Sequence, residues 1–218
     1  MSGSGSRSRT SSDPDAWLRA GHRPFVVVIS GPSGVGKSSF VEQLLAADLN
    51  LEYSVSATTR TRRPHETDGR EYLFLSREEF RRRIEAGEFV EWAEVHGEQY
   101  GTLRSEIERR LAKGRNVLLD IDVQGGMAVR RVYEDGVFIF VLPPSLASLE
   151  ERLRGRGTDP DERIRLRLEN ARREIELGKA YDYAVVNDQL DLALRRVVAI
   201  ITAETCRVRR RKESSESP

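Results

Sequence analysis

Three groups of residues in this 218-residue chain have types and spacings that could do chemistry. The first, Gly31-Pro32-Ser33-Gly34-Val35-Gly36-Lys37-Ser38, satisfies G-x-x-x-x-G-K-[ST]. Glycines at those positions let backbone N–H groups wrap phosphate oxygens without Cβ obstruction, and a helix starting there adds its partial positive charge. Lys37 would bridge the β- and γ-phosphates of a nucleotide, and Ser38 would ligate Mg²⁺. Lys37 is one of four lysines beside 32 arginines, so composition alone would not supply a lysine here. The second group is Asp120 and Asp122, which end the apolar run at Leu118-Leu119 and precede Val123-Gln124-Gly125. Acids at the carboxyl end of a parallel strand beside a phosphate loop can hold Mg²⁺ or its waters. The same letters match Asp-x-x-Gly, a switch element of GTPases. The third group is Arg60 and Arg63, just before Pro64, with Tyr72 further on. Together they could offer bidentate guanidinium donors and a phenol to one small anion, although arginines in an Arg-rich chain more often form a solvated face.

The elements that must position these groups are legible as pattern. Phe25 to Ile29, Val117 to Leu119, Val137 to Leu142 and the shorter Ala184 to Val186 are unbroken apolar runs, which suit central strands of a parallel sheet. Helices fit between them at about 37–47, 103–113, 124–134 and 189–207, with Gly114 placed to stop one. That alternation predicts an α/β core with helices on both faces of a parallel sheet. Two insertions interrupt it. Residues 53–102 carry strand-like pieces (Glu71 to Leu75, Phe89 to Val95) around a short helix, with Ser76 and Glu79 spaced as a capping box. Residues 145–178 are charged and helical, broken at Gly155-Arg156-Gly157, with Asp159 as the expected N-cap and Pro160 as the first residue of a new helix. The core is then 24–52, 103–144 and 179–206, with residues 1–23 expected as a disordered tail and 207–218 as a polar C-terminal tail.

A third of the residues are charged, and the net charge is +1. The tails are basic, which leaves −4 for residues 25–204. A body of that sign argues against a nucleic-acid partner, since phosphate-backbone binding needs a clustered basic face. No apolar run approaches the roughly 20 residues of a membrane span, nor the apolar core of a secretory signal, so no membrane partner and a cytoplasmic location are expected. The single cysteine, Cys206, excludes an intramolecular disulfide and a Cys-based zinc site, and reads as a small apolar residue on a helix.

Thr58-Thr59-Arg60-x-x-Arg63-x-x-Glu66-x-x-Gly69-x-x-Tyr72-x-Phe74 resembles the GMP-binding signature of guanylate kinases, with its spacing intact. The resemblance continues through Glu88 to Ala93, Tyr100-Gly101-Thr102, Leu119 to Gly125, Pro143-Pro144-Ser145, Gly155 to Thr158 and Val185 to Asp188, and covers about residues 24–204. It implies a P-loop NTPase core with an inserted GMP-binding region at 53–102 and a helical lid at 145–178. The activity it implies is reversible phosphoryl transfer from ATP, with Mg²⁺, to GMP or dGMP. Carried over by position, Arg60, Arg63, Tyr72 and Tyr100 would hold the GMP phosphate, and Ser56, Glu91 and Thr102 would face the guanine. A carboxylate at Glu91 suits guanine, which presents N1–H and the N2 amine side by side, where adenine offers a lone pair. Asp120 and Asp122 would lie between the nucleotides, near Mg²⁺ and the guanine edge, with their division of labour open. Arg152, Arg156 and Arg167 match lid arginines that would close over the ATP phosphates, and Asn187 would lie near the adenine. Thr102 departs from the Ser of many members but keeps the hydroxyl.

Two other readings compete. A guanylate-kinase-like binding module would use the same pocket for a phosphopeptide, but such relatives have degenerate phosphate loops and this one is whole. A regulatory GTPase would use Asp122-x-x-Gly125, yet none of Lys37, Lys113, Lys179 or Lys212 stands in an Asn/Thr-Lys-x-Asp guanine motif.

Overall fold

A strand without polar alternation is stable only where both of its faces are covered. In the computed structural model, which describes residues 23–47, 49–95, 97–155 and 160–207, the first apolar run forms β1 (Val26–Ser30) at the centre of a five-stranded sheet. The other strands are β2 (Leu51–Tyr53), β7 (Asn116–Asp120), β8 (Val137–Leu142) and β9 (Tyr183–Val186). Their order is β2-β7-β1-β8-β9, and every pairing is parallel. Successive β1 side chains serve opposite cores. Val27 and Ile29 pack with Phe40 and Leu44 of α1 (Lys37–Ala46) and with Ala193, Val197 and Ile201 of α7 (Leu190–Thr205). Val26 and Val28 pack with Ile107 of α3 (Arg104–Ala112), with Val123 and Val129 of α4 (Val123–Val132), and with Ile175 of α6 (Asp161–Gly178). Each buried side chain of this size contributes about 1.5–3 kcal/mol, so the central strand is anchored firmly on both faces.

The expected helices form within about two residues of their predicted bounds, and Gly114 follows the end of α3 in the left-handed region at φ +76°. The short edge strand β2 was not anticipated, because Leu51-Glu52-Tyr53 is neither long nor uniformly apolar. Cys206 differs from expectation in standing exposed at the C-cap of α7.

The first insertion builds its own sheet from β3 (Ala57–Thr58), β4 (Leu73–Phe74), β5 (Phe89–Val95) and β6 (Glu98–Leu103), in the order β4-β3-β6-β5. Its core is small: Phe80 of α2 (Arg77–Glu85) stacks on Phe89 with ring centroids 4.4 Å apart, against Ala57 and Leu103. Only half of the expected capping box forms. Ser76 Oγ accepts from Glu79 N at 3.1 Å, while the Glu79 carboxylate is taken by Arg82 and Arg83. The second insertion is a helix pair, α5 (Leu146–Gly155) and α6, joined by Leu149, Leu153, Ile164 and Ala171. Pro160 occupies the N-cap of α6, one place earlier than expected, and Asp159 lies outside the described residues. Among the described residues, no helix is long and apolar enough to cross a membrane.

Candidate active site

The turn from β1 into α1 is the phosphate loop. Gly31 passes so close to β8 that a Cβ there would stand 2.4 Å from the Val141 carbonyl oxygen. Gly36, the N-cap of α1, is left-handed at φ 101°, a conformation that favours glycine. Lys37 Nζ donates to Gly31 O at 2.7 Å, so the lysine folds back over the loop it belongs to.

Parallel pairing of β1 with β7 ends at Ile29 opposite Asp120. This brings the phosphate loop and the acids after β7 to neighbouring strand ends, where ligands bind in open α/β sheets. A cavity of about 380 Å³ is lined by Gly31, Ser33, Gly34, Gly36, Lys37, Ser38, Ser39, Asp120, Asp122 and Glu174. Burial raises the Asp120 carboxyl above its ordinary pKa, and the Lys37 charge partly offsets this. Among the described residues, no group of three or more His, Cys, Asp or Glu could hold a metal ion alone. A hydroxyl and carboxylates around a phosphate-sized cavity do fit Mg²⁺, a hard cation that takes one or two carboxylates together with substrate phosphates and keeps its waters. The GTPase-like letters have a local explanation: Asp122 is the N-cap of α4, and its Oδ1 accepts from Gly125 N at 2.7 Å.

Across the loop a second cavity, of about 590 Å³, is lined by Val35, Gly36, Arg152, Asn187, Asp188 and Leu190 among others. Asn187 Nδ2 donates to Val35 O at 2.7 Å, and the Arg152 guanidinium donates to Val35 O at 3.3 Å and Asn187 O at 2.9 Å. Arg167 reaches the loop from α6 and donates to Ser33 Oγ at 3.3 Å. Arg156 lies outside the described residues. A third cavity, of about 430 Å³, opens at the amino end of β1 between Arg23 and Tyr133. It contains none of the loop or acidic residues above.

In the loop after β3, Arg60 is held by Glu66, a residue of the signature without a role assigned from the sequence. Both guanidinium nitrogens donate to its carboxylate, at 3.1 and 2.7 Å, and Arg63 N adds a third bond at 2.8 Å. These donors hold the Glu66 carboxyl at about 2, although it is only 6% exposed. The Arg60 guanidinium lies 5.4 Å from the Tyr72 ring centroid, and Tyr72 meets Tyr100 edge-on at 5.9 Å. Arg60, Tyr72 and Tyr100 are thus brought together, whereas Arg63 is exposed. Ser56 immediately precedes β3, and its carbonyl accepts from Leu73 N at 2.9 Å.

Glu91 reaches the site through a β-bulge. Phe89 pairs with Leu103, but Glu91 pairs with the very next residue, Thr102. Simple alternation would put Glu91 on the same face as Phe89, in the small core; the extra residue turns it to the other face. There Thr102 Oγ1 donates to Glu91 Oε1 at 2.5 Å. The carboxylate lies against the first turn of α4, where a Cβ on Gly125 would stand 3.0 Å from Oε2. Burial raises the Glu91 pKa, the Thr102 hydroxyl lowers it, and the Asp122 charge raises it further. Glu174 is a residue that spacing did not single out. It faces Lys37 and Asp122 from α6, and its pKa is raised chiefly by burial. In a helix rich in Arg and Glu nothing marks one glutamate from the rest.

Comparison with known proteins gives a consistent picture. The family model described as guanylate kinase matches residues 23–204. A guanylate kinase of Thermotoga maritima is 48% identical over 189 residues, 87% of this chain and 91% of that protein. One of Symbiobacterium thermophilum is 50% identical over 182 residues, 84% of this chain and 86% of that protein. The crystal structure of guanylate kinase from Anaplasma phagocytophilum superposes with a TM-score of 0.68 at 34% identity, covering 86% of this chain and 89% of that one.

Proposed function

The chain belongs to the guanylate kinase family, and we propose that it transfers the γ-phosphoryl group of ATP reversibly to GMP or dGMP, giving ADP and GDP or dGDP. Neither the binding-module nor the GTPase reading is favoured by its relatives. The observation that carries the proposal is the contact between the two halves of the site: Glu91 of the second sheet lies against the Asp122–Gly125 turn that also lines the phosphate-loop cavity.

In this reading Gly31 to Ser38 cradle the ATP phosphates, with Lys37 on the β- and γ-groups, and the cavity beside Asn187 takes the adenosine. Arg60, Arg63, Tyr72 and Tyr100 bind the GMP phosphate. Glu91, assisted by Ser56 and Thr102, accepts from guanine N1–H and N2–H, and Asp122 flanks the guanine edge. A GMP phosphate oxygen forms the new bond to the γ-phosphorus as the bond from that phosphorus to the β–γ bridging oxygen breaks, and the electron pair leaves with ADP. A phosphomonoester loses its second proton near pH 6, so the nucleophile is already anionic and needs no general base. Catalysis is then positioning and charge stabilisation. Arg152, Arg156 and Arg167 belong to a lid that excludes water and carries positive charge to the transferring group. Ser38 and Asp120 would hold Mg²⁺, which supplies charge neutralisation at the β- and γ-oxygens. A cytoplasmic location belongs to the same proposal.

An ADP-release assay with Mg·ATP and each of GMP, dGMP, AMP, CMP, UMP and dTMP tests the function. Turnover confined to GMP and dGMP is expected, and equal turnover of AMP or UMP would refute the guanine assignment.

A further inference from the structure

Where the β1–β7 ladder stops, a hydrogen-bond chain that starts from a buried phenol continues it. Tyr181 Oη donates to Ser30 Oγ at 2.8 Å, and Ser30 Oγ donates to Ile121 O at 2.9 Å, with Asp122 O next at 3.3 Å. Ser30 is the last residue of β1 and immediately precedes Gly31, whose carbonyl accepts from Lys37. Ile121 is the residue between Asp120 and Asp122. The chain therefore ties the base of the phosphate loop to the acid-bearing segment at the point where backbone pairing no longer does so.

The phenol has no slack. Gly126 of α4 lies so near that a Cβ there would overlap Tyr181 Oη at 1.8 Å, and the ring is boxed edge-on by Phe138 and Phe140 at 6.0 and 5.5 Å. Ser30 is fully buried and Tyr181 nearly so, where a lost partner costs more than a net hydrogen bond gains. Tyr181 stands in the turn that ends α6, three residues past Gly178, whose carbonyl accepts from Tyr181 N at 3.0 Å, and in that helix Arg167 touches Ser33 and Glu174 lines the phosphate cavity. Residues 167, 174 and 181 recur every seven positions and all serve the surroundings of one loop.

We propose that Tyr181 is a positioning residue for phosphoryl transfer, acting through Ser30 to hold the Asp120–Asp122 segment in register with the phosphate loop, and anchoring the carboxyl end of α6. The inference rests on the kinase reading for its kinetic consequence, but the linkage itself can be measured without turnover.

The test uses the full chain carrying Tyr181→Phe, Ser30→Ala or both. Each single variant should lower kcat about tenfold, the rate equivalent of one net buried hydrogen bond. KM for ATP and GMP should stay within about twofold, and the double variant should be no slower than the slower single one, because both cut the same chain. Amide hydrogen exchange in peptides covering residues 119–126 should quicken in all three. Unchanged kcat with unchanged exchange would overturn the proposal, and so would strictly multiplicative losses in the double variant or a KM rise matching the fall in kcat. A wild-type chain inactive on GMP would instead refute the kinase reading, and exchange in 119–126 would still decide whether Tyr181 holds the segment.

Discussion

The acceptor side and the donor side of the site are organised by different means. On the second sheet the recognition groups are held by other side chains: Glu66 grips Arg60 in a bidentate pair, Tyr72 and Tyr100 brace it, and Thr102 orients Glu91. Around the phosphate loop they are held mostly by main chain: Lys37 donates to the Gly31 carbonyl, Asn187 to the Val35 carbonyl, and Arg152 to the Val35 and Asn187 carbonyls, while Arg167 donates to the Ser33 hydroxyl. A side-chain pair fixes one geometry at one position. Backbone carbonyls hold cations more loosely and release them when phosphate oxygens offer a stronger, charged acceptor. The acceptor site is accordingly built for selection, and the donor site for rearrangement around the transferring group.

The sharpest way to break this contrast is Lys37→Met, which should lower kcat by a hundredfold to a thousandfold, the range for removing one preorganised transition-state donor. GMP affinity, measured by calorimetry, should be nearly unchanged, and its loss would show that the two sides are not separate. Glu66→Gln should raise KM for GMP by roughly tenfold to a hundredfold, as expected for one charged hydrogen-bond pair, with kcat less affected. The pH dependence of that pair has a definite sign. A folded pKa of about 2 against an ordinary 4.5 means that its stabilisation is complete above about pH 5 and is lost as pH falls through 4.5 towards 2. Acid unfolding of Glu66→Gln should lack that component.

Glu91→Gln should raise KM for GMP about tenfold, with a smaller change in kcat. Because burial raises the Glu91 pKa, the wild-type KM should climb on acidification at a higher pH than an ordinary glutamate would set, and the variant's KM should not. A flat wild-type profile would count against the carboxylate as guanine acceptor. The smallest effect is expected for Thr102→Ser. It keeps the hydroxyl on Glu91 and deletes a buried methyl, so it should cost about 1 kcal/mol of stability, a few degrees in Tm, and leave KM unchanged.

Legibility in the sequence followed the range of the forces involved. The phosphate loop, the α1 start and the Gly114 stop are local, since each depends on residues within one or two turns. The central strands announced themselves because burial on both faces demands uninterrupted apolar residues. β2 and β3 did not, for they are very short, nor did β6, whose Glu98-Gln99-Tyr100-Gly101-Thr102-Leu103 is mostly polar; all three are stabilised by partners far along the chain. Pro160 shows the limit at helix ends, where a one-residue shift separates expectation from structure. Glu66 and Glu174 were invisible as individuals, because a glutamate's importance here comes from which arginine, lysine or aspartate the fold sets beside it.

By itself the sequence determined the α/β class, the loop that can wrap phosphate and the spacing of the arginine signature, because these follow from backbone freedom, burial and neighbouring residues. Tertiary structure alone decided which face Glu91 presents, since one extra residue in β5 reverses the alternation that periodicity would apply. It also decided that Asp122 caps a helix, that Glu66 pairs with Arg60, and that Tyr181 bonds with Ser30 across 151 residues of chain. Pairings at that distance exist only once the sheet has formed, and no local preference encodes them.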